Sequence, residues 1–246
     1  MFTLQTDLLF PRNAVGPADA LPPTAERLEL RTADGDMLRG VHIPPREDGE
    51  RLLILGFPGN AWNSDNAAIL LHDLYPEADI VTFHYRGYAP STGAPSSQAL
   101  IDDAPAIRDL AVARVHPTKT VVVGFSIGSG VAAVLAERRP VDGVILVTPF
   151  DSLTSVAQSW YPWLPVRALF RHEIDAAAAI EQIQVPVAII AAQHDEVVQA
   201  ARTDALRQRV PKLAFDRSIT NAGHNDIYGR PEFRQAIREA LAALHD

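Results

Sequence analysis

A serine flanked by glycines lies in the sequence GFSIG, where Ser126 follows the strand-like run TVVV. A strand that turns abruptly into a helix needs small residues two positions before and two positions after the turning residue. Gly124 and Gly128 occupy those positions. Such a turn holds its central residue in a strained conformation with an accessible side chain. The spacing therefore predicts a nucleophile elbow at Ser126, with an ordinary glycine-rich turn as the alternative.

A serine hydroxyl is a poor nucleophile at neutral pH unless an imidazole accepts its proton and a carboxylate orients that imidazole. We expect His224, in the sequence NAGH, to be the base and Asp195, in QHDE, to be the orienting acid. Asp151 in TPFD also ends a predicted strand and is the competing acid, whereas Asp226 is expected to hold the histidine loop. The chain order of serine, acid and histidine fits three successive loops of one parallel sheet. Activity should rise with pH as His224 loses its proton.

Attack on a carbonyl places negative charge on its oxygen, and backbone N–H groups usually stabilise that charge. The N–H of Ile127, directly after the serine, is the first expected donor of this oxyanion hole. The second must come from the loop GFPGNAWN, where Pro58 has no N–H to donate. We expect Asn60 to supply it, with Phe57 as the alternative.

Other site motifs are incomplete. The glycines around Ser126 match neither the dinucleotide fingerprint GxGxxG nor the phosphate loop that ends in GK followed by Ser or Thr. Asp34 and Asp36 lack the remaining ligands of a calcium loop, and the doublet of His194 and Asp195 lacks a third metal ligand. The sequence therefore predicts a protein that uses no cofactor and no metal.

The composition argues against several further classes of chemistry and partner. The 246 residues contain no cysteine, which rules out a thiol nucleophile and a cysteine-bound metal. The net charge of −8, without a basic run, argues against nucleic acid or an anionic membrane surface as a partner. Neither a signal-peptide pattern nor an apolar stretch of about 18 residues is present. We expect a cytoplasmic protein without a membrane span, of a size that suits one α/β domain over residues 1–246. The oligomeric state is not predictable.

The elements that must position these residues alternate along the chain. Two strand-like runs at residues 26–32 and 36–43 flank the turn ADGD and predict an antiparallel hairpin. Apolar runs then alternate with helical patterns, which is typical of a parallel sheet covered by helices on both faces. The predicted strands are RLLILGF, ADIVTFH, KTVVVGF, DGVILVT, PVAIIAA and LAFDRSI. The predicted helices lie near residues 66–74, 97–114, 128–138, 175–182, 199–209 and 231–244.

An irregular, proline-punctuated insertion is expected at residues 151–175. Its aromatic residues Trp160, Tyr161 and Trp163 form a candidate substrate-binding wall of a minimal lid. The alternative is that these rings simply pack against the sheet.

Five motifs in one order resemble the α/β-hydrolase superfamily, and within it the small, nearly lidless serine hydrolases of the serine aminopeptidase and dienelactone hydrolase branches. These motifs are FPGNAWN, HYRGYAPSTG, GFSIGSG, HDEVV and AGHND, within residues 26–245. The chain departs from that group at Pro58, where histidine is usual. The resemblance implies an α/β-hydrolase fold with a doubly wound, mostly parallel sheet of about eight strands. It also implies the triad of Ser126, Asp195 and His224, with the oxyanion hole at Asn60 and Ile127.

These observations predict a serine hydrolase that cleaves a carboxylic ester or thioester with an apolar acyl group through an acyl-enzyme. An acyltransferase or a peptidase is the alternative among enzymes, because the same triad serves all three. A noncatalytic ligand-binding member of the fold is the alternative outside them.

Overall fold

The computed structural model describes residues 2–46 and 51–244, apart from the side chains of residues 2–4. Its strands are β1 (Glu26–Arg31), β2 (Met37–Ile43), β3 (Leu52–Phe57), β4 (Asp79–Phe83), β5 (Lys119–Phe125), β6 (Gly143–Val147), β7 (Val187–Ala192) and β8 (Leu213–Ile219). They form a sheet of order β1-β2-β4-β3-β5-β6-β7-β8. This order confirms the predicted fold class of a mostly parallel sheet entered through an N-terminal hairpin.

Helices separate these strands as predicted, with bounds within two residues of the expected ones at most ends. They are α1 (Phe2–Leu9), α2 (Ser64–Leu74), α3 (Ser97–Val115), α4 (Ile127–Arg138), α5 (Leu153–Trp160), α6 (Val166–Leu169), α7 (Ala176–Ile180), α8 (Ala200–Arg207) and α9 (Pro231–Ala243). Helix α1 was not expected from the sequence. None of the helices in the described part of the chain is long and apolar enough to cross a membrane.

Two of the helices lie in the insertion at residues 151–175, which we expected to be irregular. Helix α5 has eight residues and begins after Ser152, whose side chain accepts the N–H of Ser155 as an N-terminal cap. Helix α6 has four residues and follows Pro165. Helices this short, interrupted by prolines, show little periodicity in a sequence, which is why the pattern missed them.

By its contacts, the chain divides into two compact units, one up to Val122 and one from Val123, and β5 runs across that division. The expectation of a single domain stays a prediction. In the first unit, β1 pairs antiparallel with β2, which pairs antiparallel with β4, and β3 pairs parallel with β4. The hairpin turn is closed by the Thr32 N–H, which donates to Asp36 O at 2.8 Å, and Gly35 has the positive φ of 93° that such a turn requires.

In the second unit, β6 pairs parallel with β7, and β7 with β8. Strands β6 and β7 are buried along their whole length, as their apolar runs predict. Strand β8 is mostly exposed, because it is the last strand of the sheet and carries polar residues at 216–218. The chain leaves the carboxyl ends of β5, β7 and β8 into the loops that carry Ser126, Asp195 and His224.

Candidate active site

The turn from β5 to α4 is strained at Ser126, which has φ 51° and ψ −117°. A Cβ atom placed on Gly124 would lie 2.3 Å from the carbonyl oxygen of Gly128, so only glycine allows the chain to pass itself here. The N–H of Ser126 donates to the carbonyl of Val147 at 2.9 Å, which anchors the turn to β6. The turn therefore has the geometry that the sequence predicts for an elbow, with the serine side chain at its apex.

The structure brings Ser126, His224 and Asp195 together within the second unit. The Nε2 atom of His224 lies 2.9 Å from Ser126 Oγ. The Nδ1 atom of the same ring lies 2.9 and 2.8 Å from the two carboxylate oxygens of Asp195. A carboxylate only accepts hydrogen bonds, so Nδ1 carries the proton and Nε2 is left to accept one from the serine. The arrangement can transfer a proton from the serine hydroxyl to the imidazole.

Burial and backbone contacts hold this group in place. The side chains of His224 and Asp195 are 7% and 4% exposed. Oxygen Oδ1 of Asp195 also accepts the N–H groups of Val197 and Val198, at 2.9 and 2.6 Å. These donors belong to the loop that carries Asp195. The local backbone therefore orients the carboxylate independently of its contact with the imidazole.

The competing acid Asp151 is engaged elsewhere. Its Oδ2 atom pairs with Arg202 at 3.0 Å, and both side chains are mostly buried. Asp226 accepts the N–H of Gly223 at 2.6 Å, as expected for a residue that holds the histidine loop. Hydrogen bonds from Arg230 and from that N–H lower the pKa of Asp226. It is therefore Asp195 that contacts the imidazole.

The loop after β7 and the loop after β8 are bonded to each other residue by residue. Besides the Asp195 contact, the bonds run from Asn221 N–H to Gln193 Oε1 (3.0 Å), from His194 N–H to the Ala222 carbonyl (2.8 Å), and from His224 N–H to Glu196 Oε2 (3.0 Å). The contact of Glu196 was missed by sequence reasoning, although this acid directly follows Asp195 in the HDEVV motif. These bonds fix the position of His224 relative to Asp195 at the backbone as well as at the ring.

Tyr228 is a second residue that sequence reasoning missed, four positions after His224. Its ring meets those of Phe125 and Phe233 edge to face, with centroids 5.9 and 5.7 Å apart. Burial raises the pKa of Tyr228 to about 12, and the negative charge of Asp195 adds to the increase. The phenol of Tyr228 is neutral at physiological pH, so it adds no charge to the surroundings of Asp195.

The two expected oxyanion donors lie in different units. Ile127 is the first residue of α4, so its N–H has no acceptor within the helix. In the first unit, the side chain of Asn60 accepts from Tyr88 OH at 2.6 Å and donates to the carbonyl of Leu9. Tyr85 OH donates to the carbonyl of Pro58 at 2.8 Å in the same loop. The loop is thus held by side chains, while the roles of Asn60 and Ile127 stay predictions.

The aromatic residues of the insertion face solvent to a large extent. The exposed fractions of Trp160, Tyr161 and Trp163 are 51%, 48% and 76%. These values do not fit the alternative in which the rings pack against the sheet. The indole N–H of Trp160 donates to the carbonyl of Val197 at 3.0 Å, so the end of α5 is attached to the acid loop. Their role in substrate binding stays a prediction.

The first unit contains two further histidine–aspartate pairs, His42 with Asp79 at 2.7 Å and His84 with Asp65, of which the second is the more deeply buried. His84 Nε2 lies 3.3 Å from Asp65 Oδ1, and both side chains are 4% exposed. The guanidinium of Arg27 donates to both oxygens of Asp65, at 2.9 and 2.7 Å. Burial raises the pKa of Asp65, but hydrogen bonds from His84 and Arg27 outweigh it and leave the pKa below its ordinary value. The carboxylate is therefore ionised and fully paired.

Arg86 of the HYRGY motif ties loops of the first unit together. It donates to Asp103 at 3.1 and 2.5 Å and to Asp34 at 2.6 Å. These bonds, with that to Asp103 first, raise the pKa of Arg86. Within residues 2–46 and 51–244, His, Asp and Glu side chains form no group of three that could hold a metal ion.

A family model of the alpha/beta hydrolase fold matches residues 52–177, just over half of the chain. The chain therefore belongs to the alpha/beta hydrolase fold family. The branch within that family stays a prediction from the motifs. Among its relatives, an uncharacterised protein of Mycobacterium tuberculosis strain H37Rv is 31% identical over 214 residues, which cover 85% of this chain and 75% of that protein. The lysophosphatidylserine lipase ABHD12 of Danio rerio is 28% identical over 195 residues, covering 68% of this chain and 51% of that protein.

Among solved structures, an esterase of Pyrococcus furiosus superposes with a TM-score of 0.74. The superposition covers 94% of this chain and 98% of the esterase, at 17% sequence identity. At that identity the likeness concerns the fold.

Proposed function

We propose that the protein is a serine hydrolase that cleaves a carboxylic ester or thioester through an acyl-enzyme. The observation that carries the proposal is the 2.9 Å contact between Ser126 Oγ and His224 Nε2, with Asp195 on the other ring nitrogen. Membership of the alpha/beta hydrolase fold family supports it. The relatives include a lipase and the structural neighbours an esterase, which makes an ester the first substrate class to test.

In this mechanism Ser126 Oγ attacks the substrate carbonyl carbon while its proton passes to His224 Nε2. The imidazolium is stabilised by Asp195, and the N–H of Ile127 at the start of α4 stabilises the negative oxygen of the tetrahedral intermediate. Collapse of that intermediate expels the alcohol or thiol, which takes its proton from His224. Water then attacks the acyl-enzyme and gives a proton to His224. As the second tetrahedral intermediate collapses, the bond to Ser126 Oγ breaks, the serine oxygen takes that proton from His224, and the acid is released.

The proposal is tested first by labelling with a fluorophosphonate probe, which reacts with an activated serine. We expect the native protein to be labelled at Ser126 and the Ser126→Ala variant to remain unlabelled. Ser159→Ala is the matched control, because Ser159 is a similarly half-buried serine of the same unit. Labelling at another residue would contradict the assignment of Ser126 as the nucleophile. No labelling of the native protein would contradict the proposal and favour a noncatalytic binding protein.

The substrate class is tested next, with p-nitrophenyl esters of increasing acyl length, acyl thioesters, lysophospholipids and amides. We expect turnover of esters or thioesters that is lost in Ser126→Ala. Faster release of the acyl group to an added alcohol or amine than to water would identify an acyltransferase. Turnover confined to amides would identify a peptidase and overturn the ester assignment.

A further inference from the structure

Glu196 belongs to the acid loop, and its side chain contacts the backbone of the histidine loop. Its Oε2 atom accepts the N–H of His224 at 3.0 Å, while the neighbouring Asp195 holds the ring of the same histidine. The adjacent carboxylates of Asp195 and Glu196 therefore contact His224 at two points, its ring and its backbone N–H. We propose that Glu196 is a positioning residue that fixes the backbone of the catalytic base. This inference rests on the proposed function.

The glycine before His224 supports this role. A Cβ atom on Gly223 would lie 2.8 Å from Glu196 Oε2, closer than side chains normally approach. The absence of a side chain at Gly223 therefore lets the carboxylate reach the next N–H. The glycine that marked His224 in the sequence is thus explained by a contact with Glu196.

The contacts of Asp195 and Glu196 with His224 restrain different motions. Asp195 fixes the tautomer and tilt of the imidazole, but a ring held only at Nδ1 can still swing with its backbone. The bond from Glu196 holds that backbone at the His224 N–H. A carboxylate accepts N–H groups more strongly than a neutral oxygen does. Glu196 is itself an exposed residue, so it provides this bond without the desolvation cost of a fully buried charge.

The first test is the pair Glu196→Ala and Glu196→Gln, assayed on the best ester found for the native protein. We expect Glu196→Ala to lower kcat about tenfold with little change in KM, because a small misplacement of the base slows proton transfer. Glu196→Gln keeps an acceptor oxygen and should recover most of the loss. The rate of fluorophosphonate labelling should fall by the same factor as kcat, since it also needs the base.

The controls separate positioning from folding. Glu137→Ala removes another exposed glutamate of the same unit and should leave kcat unchanged. The melting temperature of Glu196→Ala should stay within about 2 °C of the native value, as for most surface substitutions. A fall in kcat that Glu196→Gln does not recover would contradict the hydrogen bond as the cause.

A double-mutant cycle with Gly223→Ala makes the test specific. The added methyl group should displace the Glu196 carboxylate and lower kcat in the same direction as Glu196→Ala. If both act through one bond, the double variant should lose little more than either single variant. Native kcat in Glu196→Ala, together with activity that still depends on Ser126, would overturn this inference alone. Activity that persists in Ser126→Ala would overturn the proposed function instead.

Discussion

The most deeply buried histidine–aspartate pair of the first unit, His84 with Asp65, and the pair of the second unit, His224 with Asp195, have different second partners. In the first unit, Asp65 also receives the guanidinium of Arg27. In the second unit, Asp195 accepts the backbone N–H groups of Val197 and Val198 besides contacting the ring of His224. The first carboxylate is thus neutralised by a permanent cation, whereas the second is oriented by backbone N–H groups.

The two imidazoles also use different nitrogens. His84 contacts its acid through Nε2, whereas His224 uses Nδ1 and directs Nε2 at Ser126 Oγ. A buried histidine–aspartate pair is therefore no sign of catalysis by itself. It becomes one when the far nitrogen faces a hydroxyl and the carboxylate is free to stabilise the imidazolium as it forms.

The sharpest test of this difference is Asp195→Asn. An amide in place of the carboxylate should favour the wrong tautomer of His224, and we expect kcat for ester hydrolysis to fall by about 10³ to 10⁴. The measurement is steady-state hydrolysis of a p-nitrophenyl ester. Asp151→Asn is the control, because Asp151 pairs with Arg202 and not with the imidazole. A larger loss in the Asp151 variant would reverse the assignment of the acid.

The corresponding change in the first unit, Asp65→Asn, should affect stability rather than chemistry. The pKa of Asp65 is lowered in the folded protein. Its charge therefore stabilises the fold above the unfolded value of about 3.9, and this contribution disappears as pH falls through the folded pKa. We expect the free energy of unfolding to drop by about 1 to 3 kcal/mol at pH 7.

Urea unfolding of Asp65→Asn and the native protein at pH 7 and pH 3 measures this effect. The gap between the two proteins should narrow at the lower pH, because pH 3 lies below the unfolded pKa of about 3.9, where the unfolded chain binds a proton more readily than the native carboxylate with its lowered pKa. An equal gap at both values would show that packing, and not charge, accounts for the loss. A fall in kcat as large as that of Asp195→Asn would erase the distinction between the two pairs.

The smallest effect is expected at the exposed aromatic residues, which belong to neither pair. If Trp163 contacts the acyl group, Trp163→Ala should raise KM for a decanoyl ester about threefold to tenfold, or roughly 1 kcal/mol. The increase should be smaller for an acetyl ester, which is too short to reach the ring. Leu213→Ala is the control, since Leu213 is another exposed apolar side chain, at 38%. Equal changes for both esters would remove Trp163 from the substrate-binding set.

Much of the fold could be predicted from the sequence because its signals are local. The apolar runs of β6 and β7 indicate strands buried on both faces, and the turn residues around Gly35 indicate a hairpin. Helices α5 and α6 were missed because short helices are stabilised by their surroundings more than by their own periodicity. The sequence does not reveal that β8 is exposed, because the position of a strand at the end of the sheet is decided by pairing with other strands.

The sequence by itself determined the turn at Ser126, because the requirement for Gly124 and Gly128 is a steric one between residues four positions apart. The chain order of serine, acid and histidine also limited the candidates for the base and the acid to a few loop residues. Only the tertiary structure decided that Asp195 contacts His224 and that Glu196 holds its backbone. Those contacts join residues 28 and 29 positions apart. Their distances depend on how two loops pack, which no local pattern encodes.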